Sequence, residues 1–492
     1  MPALAVAYVS DCAPRLVPGR LRAHYRRMRA EPQAAAYRPD PAILALASWL
    51  GDPVEAAAFP RSELRFRNRR WDRAVGLGAL DDAAWVRHFG RFEPLDGNLP
   101  QPLALRYHGH QFRVYNPDIG DGRGFLFAQV RDGAGRLLDL GTKGSGTTPY
   151  SRTADGRLTL KGAVREVLAT EMLEALGVYT SKTFSVIETG EELWRGDEPS
   201  PTRSAVLVRL SHSHIRIGTF QRLLALDQRE RMAALVEYCL AHYPGPPPPP
   251  DAPGREEPAL MLLHQVVARC ADLAASWMVA GFVHGVLNTD NITITGESFD
   301  YGPWRFAPQW EPGFTAAYFD QQGLYAFGRQ AEALHWNCAQ LAVALRLLAE
   351  AEPLRAALER FAGLYEAALL KRWCWRLGVV PRGAEPDTRL LAASVTTKRQ
   401  EGIGPDTFFH RHRGGRFATG DLAEVLAGYE STGPAEGWPA APQSMLIDEV
   451  EAIWAAIAER DDWAPFERKI AAVRAFGQAL GEPPVPAGHA PI

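Results

Sequence analysis

Apolar and polar positions change their rhythm near residues 103 and 218, and these changes divide the chain into stretches. Before residue 103, short helical patterns alternate with Pro and Gly, as in "YRPDPAILALASWLGDP", so residues 1–102 read as an N-terminal extension packed on the main body. From 103 to 217, short apolar runs are bounded by turns: "GFLFAQV" (124–130), "LLDLGTK" (137–143), "KTFSVIE" (182–188) and "SAVLVRL" (204–210). Such runs predict strands. One helix interrupts them: in "LKGAVREVLATEMLEALG", Val164, Val167, Leu168, Met172 and Leu176 recur at helical spacing, and Gly177 marks the stop.

From 218 to 480 the pattern is mostly helical. A helix from about Pro258 to Ala280 carries a stripe of Leu263, Val267, Cys270, Leu273 and Trp277, and two more follow near 329–350 and 353–376. The run "YPGPPPPPDAPG" (243–254) favours an extended, solvated excursion. Residues 481–492 are expected to be a disordered tail. A small β-rich lobe with one helix (103–217), followed by a larger helical lobe (218–480), predicts an α+β fold: a protein-kinase-like bilobal arrangement with an N-terminal extension.

Composition changes this picture little. With 23% charged and 46% hydrophobic residues, the 492-residue chain reads as globular and not as a disordered or disulfide-built one. The formal net charge of -3 gives no global case for nucleic acid as a partner. The five cysteines are scattered without a Cys-x-x-Cys pair, which fits a reducing compartment. No apolar run is long enough for a membrane span, and the expected location is cytoplasmic. The Arg-rich stretch "RLVPGRLRAHYRRMRA" reads as a solvated basic helix in preference to an organellar transit segment.

Candidate chemistry gathers in four places. In "FVHGVLNTDNITITGESFDYGP", Val286 stands two residues after His284, where kinases place the catalytic Asp. Asn291 and Asp300 nevertheless offer the hard oxygens that Mg²⁺ or Mn²⁺ prefers beside phosphates. Asp290, on the same loop, can accept a proton from an acceptor hydroxyl. Upstream, "NPDIGDGRGFLF" sets Gly120, Gly122 and Gly124 ahead of a strand, with Arg123 among them. Lys143 ends the next strand and Glu166 lies on the helix after it, the order in which kinases build their phosphate-gripping ion pair. Arg209 and Arg216, in "VLVRLSHSHIRIG", add planar cations suited to phosphate. The pairs His108/His110 and His212/His214 lack a third ligand at sensible spacing, which argues against zinc.

These motifs resemble the selenoprotein O family. The likeness runs through "RYHGHQFRVYNPDIGDGRG", "KGSGTTPYSRTADGR", "VREVLATEMLEALGV", "LSHSHIRIGTF", the loop around Asp290 and "FDQQGLYAFGRQ", roughly residues 103–340. It implies a pseudokinase-like protein adenylyltransferase that holds ATP reversed relative to kinases and passes AMP to Ser, Thr or Tyr hydroxyls of protein substrates. On this resemblance Lys143 with Glu166 grips the phosphates, and Arg123, Arg209 and Arg216 complete a cationic cradle. Gly120, Gly122, Asp155 and Gly156 become further nucleotide contacts, Asp290 the proton acceptor, and Asn291 with Asp300 the metal ligands. Arg113, Ser145 and Thr147 depart from the family pattern, and the first hundred residues match it poorly. A γ-phosphotransferase, a UMP transferase and a catalytically silent nucleotide-binding pseudokinase stay open beside this reading.

Overall fold

The computed structural model describes residues 31–196, 198–435 and 437–486. The Arg-rich stretch at 15–30 and Cys12 lie outside the described residues. The principal sheet has eight strands: β1 (Gly51–Pro53), β2 (Glu63–Arg67), β3 (Leu103–Leu105), β4 (Leu126–Arg131), β5 (Leu137–Lys143), β6 (Leu158–Thr159), β7 (Lys182–Leu193) and β8 (Thr202–Ser211). Their order is β1-β3-β4-β5-β8-β7-β2, with β6 added to β8. The segment before residue 103 therefore supplies the strand at each end of this order.

The apolar runs of the strands are nearly continuous because both faces of the sheet are covered. Leu137, Val186 and Leu207 face the helix α1 (Leu160–Ala175) and join a core that continues into the helical lobe. The alternate residues Leu138, Leu140, Ile187, Val206 and Val208 pack with Trp71, Trp85, Phe89 and Phe92 from the N-terminal segment. Helix α1 begins as predicted, with Thr159 Oγ1 accepting from the Gly162 N–H (3.1 Å), and ends at Gly177 with φ +73°.

Past β8 the chain enters the helical lobe through α2 (Ile217–Ala225). Its axis is α3 (Pro258–Ala280), flanked by α4 (Gln330–Leu345) and α5 (Phe361–Leu377). Almost every residue of α3 is buried, because neighbours surround it, and Gly281 closes it in the left-handed conformation (φ 71°). The helix expected at 353–376 is two, Ala351–Glu359 and α5, parted at Arg360. The expected tail packs at its start: Pro484 is buried. The fold is the kinase-like α+β arrangement of two lobes, and residues 284–300 run along the junction between them.

Candidate active site

Lys143 is the last residue of β5 and pairs in register with Leu207 of β8, while Arg209 of β8 pairs with Gly141. Both cations therefore project from one face, toward α1. Lys143 Nζ lies 2.8 Å from Glu166 Oε2 and 3.1 Å from Asp300 Oδ1. Arg209 Nη2 lies 3.0 Å from Glu166 Oε1 and 3.4 Å from the same oxygen of Asp300. Each carboxylate thus touches both cations. Burial pushes the Asp300 carboxyl up, but Lys143, Arg209, Arg123 and Arg216 together outweigh it and hold the group well below the usual carboxylate range. Asp300 sits at φ +61°, an uncommon conformation for a non-glycine residue and one often found at functional sites.

Arg216 caps the start of α2 and is buried. Its Nη1 lies 2.9 Å from Asp121 Oδ1, and its guanidinium sits 4.4 Å from the Tyr107 ring centroid and 5.4 Å from that of Phe299. Arg123 is exposed, and its guanidinium makes no hydrogen bond or ion pair among the described residues.

Asp290 lies in the short turn Thr289–Asn291. Its Oδ1 is fully enclosed and has no hydrogen-bond partner among the described residues. Burial is the main reason its carboxyl is pushed up to about 6, helped by the negative charge of Asp300 and opposed by Arg216. The Asn291 amide N–H donates to Asp300 Oδ2 (2.9 Å), so the two residues expected at the metal stand side by side. His284 meets the Phe299 carbonyl through Nε2 (2.8 Å) and is kept neutral chiefly by burial, which makes it a strut between the loop and Asp300.

The remaining expected residues sit in two loops of the small lobe. A Cβ at Gly120 would lie 2.4 Å from the Tyr150 ring, and one at Gly122 would lie 2.9 Å from the Tyr150 carbonyl oxygen. The glycines let their loop close on residues 148–151. Asp155 and Gly156 line a cavity of about 400 Å³ with Arg123, Arg157 and Arg195, and Asp155 is paired with Arg195 (2.8 Å). The four histidines of the His-x-His pairs take separate partners: Tyr115, Gln221, Glu297 and Asp139. Among the described residues no three His, Cys, Asp or Glu side chains gather as a metal cage. One amide oxygen and one carboxylate are the donor set of an ion that takes its other ligands from phosphate and water, so Asn291 and Asp300 fit Mg²⁺ or Mn²⁺ in that manner.

Comparison with known proteins adds the family. The family model described as protein adenylyltransferase SelO matches residues 34–421. The chain belongs to the SelO family. Its match begins at residue 34, far ahead of the motifs at residue 103, so it takes in much of the segment expected to match poorly, where two strands of the sheet lie. The protein nucleotidyltransferase YdiU of Synechococcus elongatus is 42% identical over 468 residues, covering 87% of this chain and 93% of that protein. YdiU of Synechocystis is also 42% identical, over 87% of this chain and 96% of the relative. YdiU of Pseudomonas entomophila is 39% identical over 68% of each. Like these SelO relatives, the chain is a nucleotidyltransferase. Among solved structures, ROP2 from Toxoplasma gondii, described as a virulence factor with a protein-kinase fold and no enzymatic activity, is 12% identical. It covers 69% of this chain and 86% of its own, with a TM-score of 0.25, too loose a superposition to carry an argument.

Three residues of this SelO site escaped the sequence reading: Asp121, Tyr107 and Phe299, which hold Arg216. Asp121 was visible as the acid between Gly120 and Gly122, but its partner lies on another element.

Proposed function

We propose that this enzyme transfers AMP from ATP to Ser, Thr or Tyr hydroxyls of protein substrates, releasing pyrophosphate. The observation that carries the reading is the buried cluster of Lys143, Arg209 and Arg216, three cations at the junction of the lobes where Val286 replaces the kinase base. A leaving pyrophosphate bears more charge than one transferred phosphoryl group and needs more fixed cations. In the free protein Glu166, Asp300 and Asp121 balance these three charges. Arriving phosphates compete with those carboxylates and draw Lys143 and Arg209 away from Asp300.

In the transfer, the acceptor oxygen forms a bond to the α-phosphorus while the bond from that phosphorus to the β-bridging oxygen breaks. The hydroxyl proton goes to Asp290, whose carboxyl, raised to about 6, is ionised at neutral pH and is more basic than an ordinary aspartate. Asn291 and Asp300 would hold Mg²⁺ or Mn²⁺, which when bound offsets phosphate charge. Arg123, Gly120, Gly122, Asp155 and Gly156 would flank the nucleotide from the small lobe, consistent with their grouping in the two loops and around the cavity. The relatives' name, protein nucleotidyltransferase, supports a protein as acceptor.

The test is incubation with candidate protein substrates and ATP labelled at the α- or the γ-phosphate, with Mg²⁺ or Mn²⁺, and with UTP labelled at the α-phosphate in parallel. Label from α-ATP alone in protein is the expected result. Transfer of γ-label refutes the reading, preference for UTP moves it to uridylylation, and binding without transfer leaves a silent pseudokinase.

A further inference from the structure

The site described above uses only Tyr107 of the motif "RYHGHQFR". Its residues form a hairpin, Gly109–Gln111 paired with Val114–Asn116, laid against the loop that carries Asp290. The His110 N–H donates to Thr289 Oγ1 (2.7 Å), and the Phe112 N–H donates to Asn288 Oδ1 (2.9 Å). Two alternate main-chain donors on one edge thus meet two consecutive side-chain acceptors, which stand in for a partner strand. Gln221 of α2 closes the arrangement. The Thr289 hydroxyl donates to Gln221 Oε1 (2.6 Å), and Gln221 Nε2 donates to His110 Nδ1 (2.7 Å). Both polar ends of the Gln221 amide are therefore used, and the His110 proton is placed on Nε2. Thr289 and Gln221 are buried.

Gly109 shows how close the hairpin comes to the reacting carboxylate. A Cβ there would stand 3.0 Å from Asp290 Oδ1 and 2.9 Å from Ile119 Cδ1, so a side chain would force the two segments apart. His110, Gln221 and Thr289 make no hydrogen bond to Lys143, Glu166, Arg209 or Arg216.

We propose that Gln221 is a positioning residue for Asp290: through Thr289 and His110 it clasps the hairpin to the catalytic loop and fixes the carboxylate in the path of the incoming hydroxyl. The inference rests on the reading of Asp290 as proton acceptor. Misplacement of a reacting group by about 1 Å can cost on the order of 100-fold in rate. The clasp acts on chemistry and leaves nucleotide binding alone.

The experiment uses the full chain and measures AMP transfer and ATP binding in Gln221→Met, Thr289→Val, Thr289→Ser and Asp290→Asn, alone and with Gln221→Met added to Asp290→Asn. Gln221→Met and Thr289→Val should lower kcat by about 10- to 100-fold with KM and Kd for ATP within about twofold of wild type. Thr289→Ser keeps the hydroxyl and should retain most of the rate, which separates the hydrogen bond from packing. On the residual rate of Asp290→Asn, Gln221→Met should have little further effect, because its action passes through the missing carboxylate. Unchanged kcat in Gln221→Met, a loss confined to ATP affinity, or a Thr289→Ser variant as slow as Thr289→Val would each overturn the clasp. Full rate in Asp290→Asn would overturn the proton-acceptor reading itself, whereas an inactive Asp290→Asn beside a full-rate Gln221→Met would overturn the clasp alone.

Discussion

At the scale of single residues, the site is a balance of buried charges, and its halves were unequally legible. Lys143 and Glu166 could be paired from the sequence because strand, glycine turn and helix follow one another in a short stretch. Asp121 and Arg216 could not, since only the folded chain brings them to 2.9 Å. Breaking such a pair from one side leaves a buried charge uncompensated, at a cost of about 3–5 kcal/mol. Asp121→Asn should therefore lower the stability measured by denaturant unfolding by several kcal/mol, while its weakened hold on Arg216 reduces ATP affinity in the same variant. A second buried pair sits away from the chemistry: Glu297 accepts from the His212 N–H (2.8 Å) and meets His212 Nδ1 at 2.9 Å. Burial pushes the Glu297 carboxyl up to about 7, and burial together with nearby cations pushes His212 well down. A carboxyl raised in the folded state stabilises fully below its unfolded value of 4.5, and that stability is lost as pH rises through 7. A depressed histidine works in the opposite sense and adds stability as pH rises toward 6.5. The two oppose one another below about 6.5, and above it only the Glu297 loss remains. Glu297→Gln should consequently gain on wild type in Tm between pH 6.5 and 8; a constant difference would refute the assignment.

At the scale of elements, the periodicity of α1 and α3 located them to within a few residues, because each faces a continuous core. The end of α1 was visible in Gly177; α3 stops in the same way at Gly281, and both glycines lie at positive φ. The helix Ala384–Glu401 shows what periodicity hides. Lys398 in its last turn reads as a solvated cation near the helix C-terminus, a favourable place for positive charge. The fold instead buries it, with Nζ 3.8 Å from the centroid of Trp310 and 3.9 Å from that of Trp373, and with Phe408 and Phe409 close by. The ammonium has no hydrogen-bond partner among the described residues. Burial, and then the like charge of Arg376, drives its pKa well below the usual lysine value. Cation–π attraction of about 2 kcal/mol opposes this desolvation, whose cost for an ammonium without a hydrogen bond is larger on general grounds. Lys398→Met keeps the length and removes the polar atom, so it should raise stability at pH 7 by about 1–3 kcal/mol. The unfolded chain holds the lysine proton up to 10.5, so wild type gains stability as pH approaches that value and the difference from Lys398→Met should shrink. A lower Tm for Lys398→Met at pH 7 would show that the aromatic cage favours the cation.

At the scale of the whole molecule, two lobes were legible because the change from short apolar runs to helical patterning coincides with their junction. The role of the first hundred residues was not, since β1 and β2 are short and their partners lie far along the chain. One signal was available: "SAVLVRL" and "GFLFAQV" are apolar on alternate faces together, which a sheet with one solvated face does not tolerate. Something had to cover the second face, and the N-terminal segment does so with Trp71, Trp85, Phe89 and Phe92. Burial of large side chains contributes about 2 kcal/mol each, so these four supply roughly 8 kcal/mol, comparable with the net stability of a typical domain. The same segment covers the β3 and β7 edges, whose free backbone groups would otherwise invite pairing between chains. A chain beginning at residue 103 keeps Lys143, Glu166, Arg209, Arg216, Asp290, Asn291 and Asp300, yet it should aggregate on expression and show no cooperative melting transition. A chain beginning at residue 31 keeps both edge strands and the aromatic cover, and it should melt cooperatively. Soluble, cooperative folding of the shorter chain would make residues 31–102 an appendage; its failure beside the longer chain would make them part of the catalytic fold.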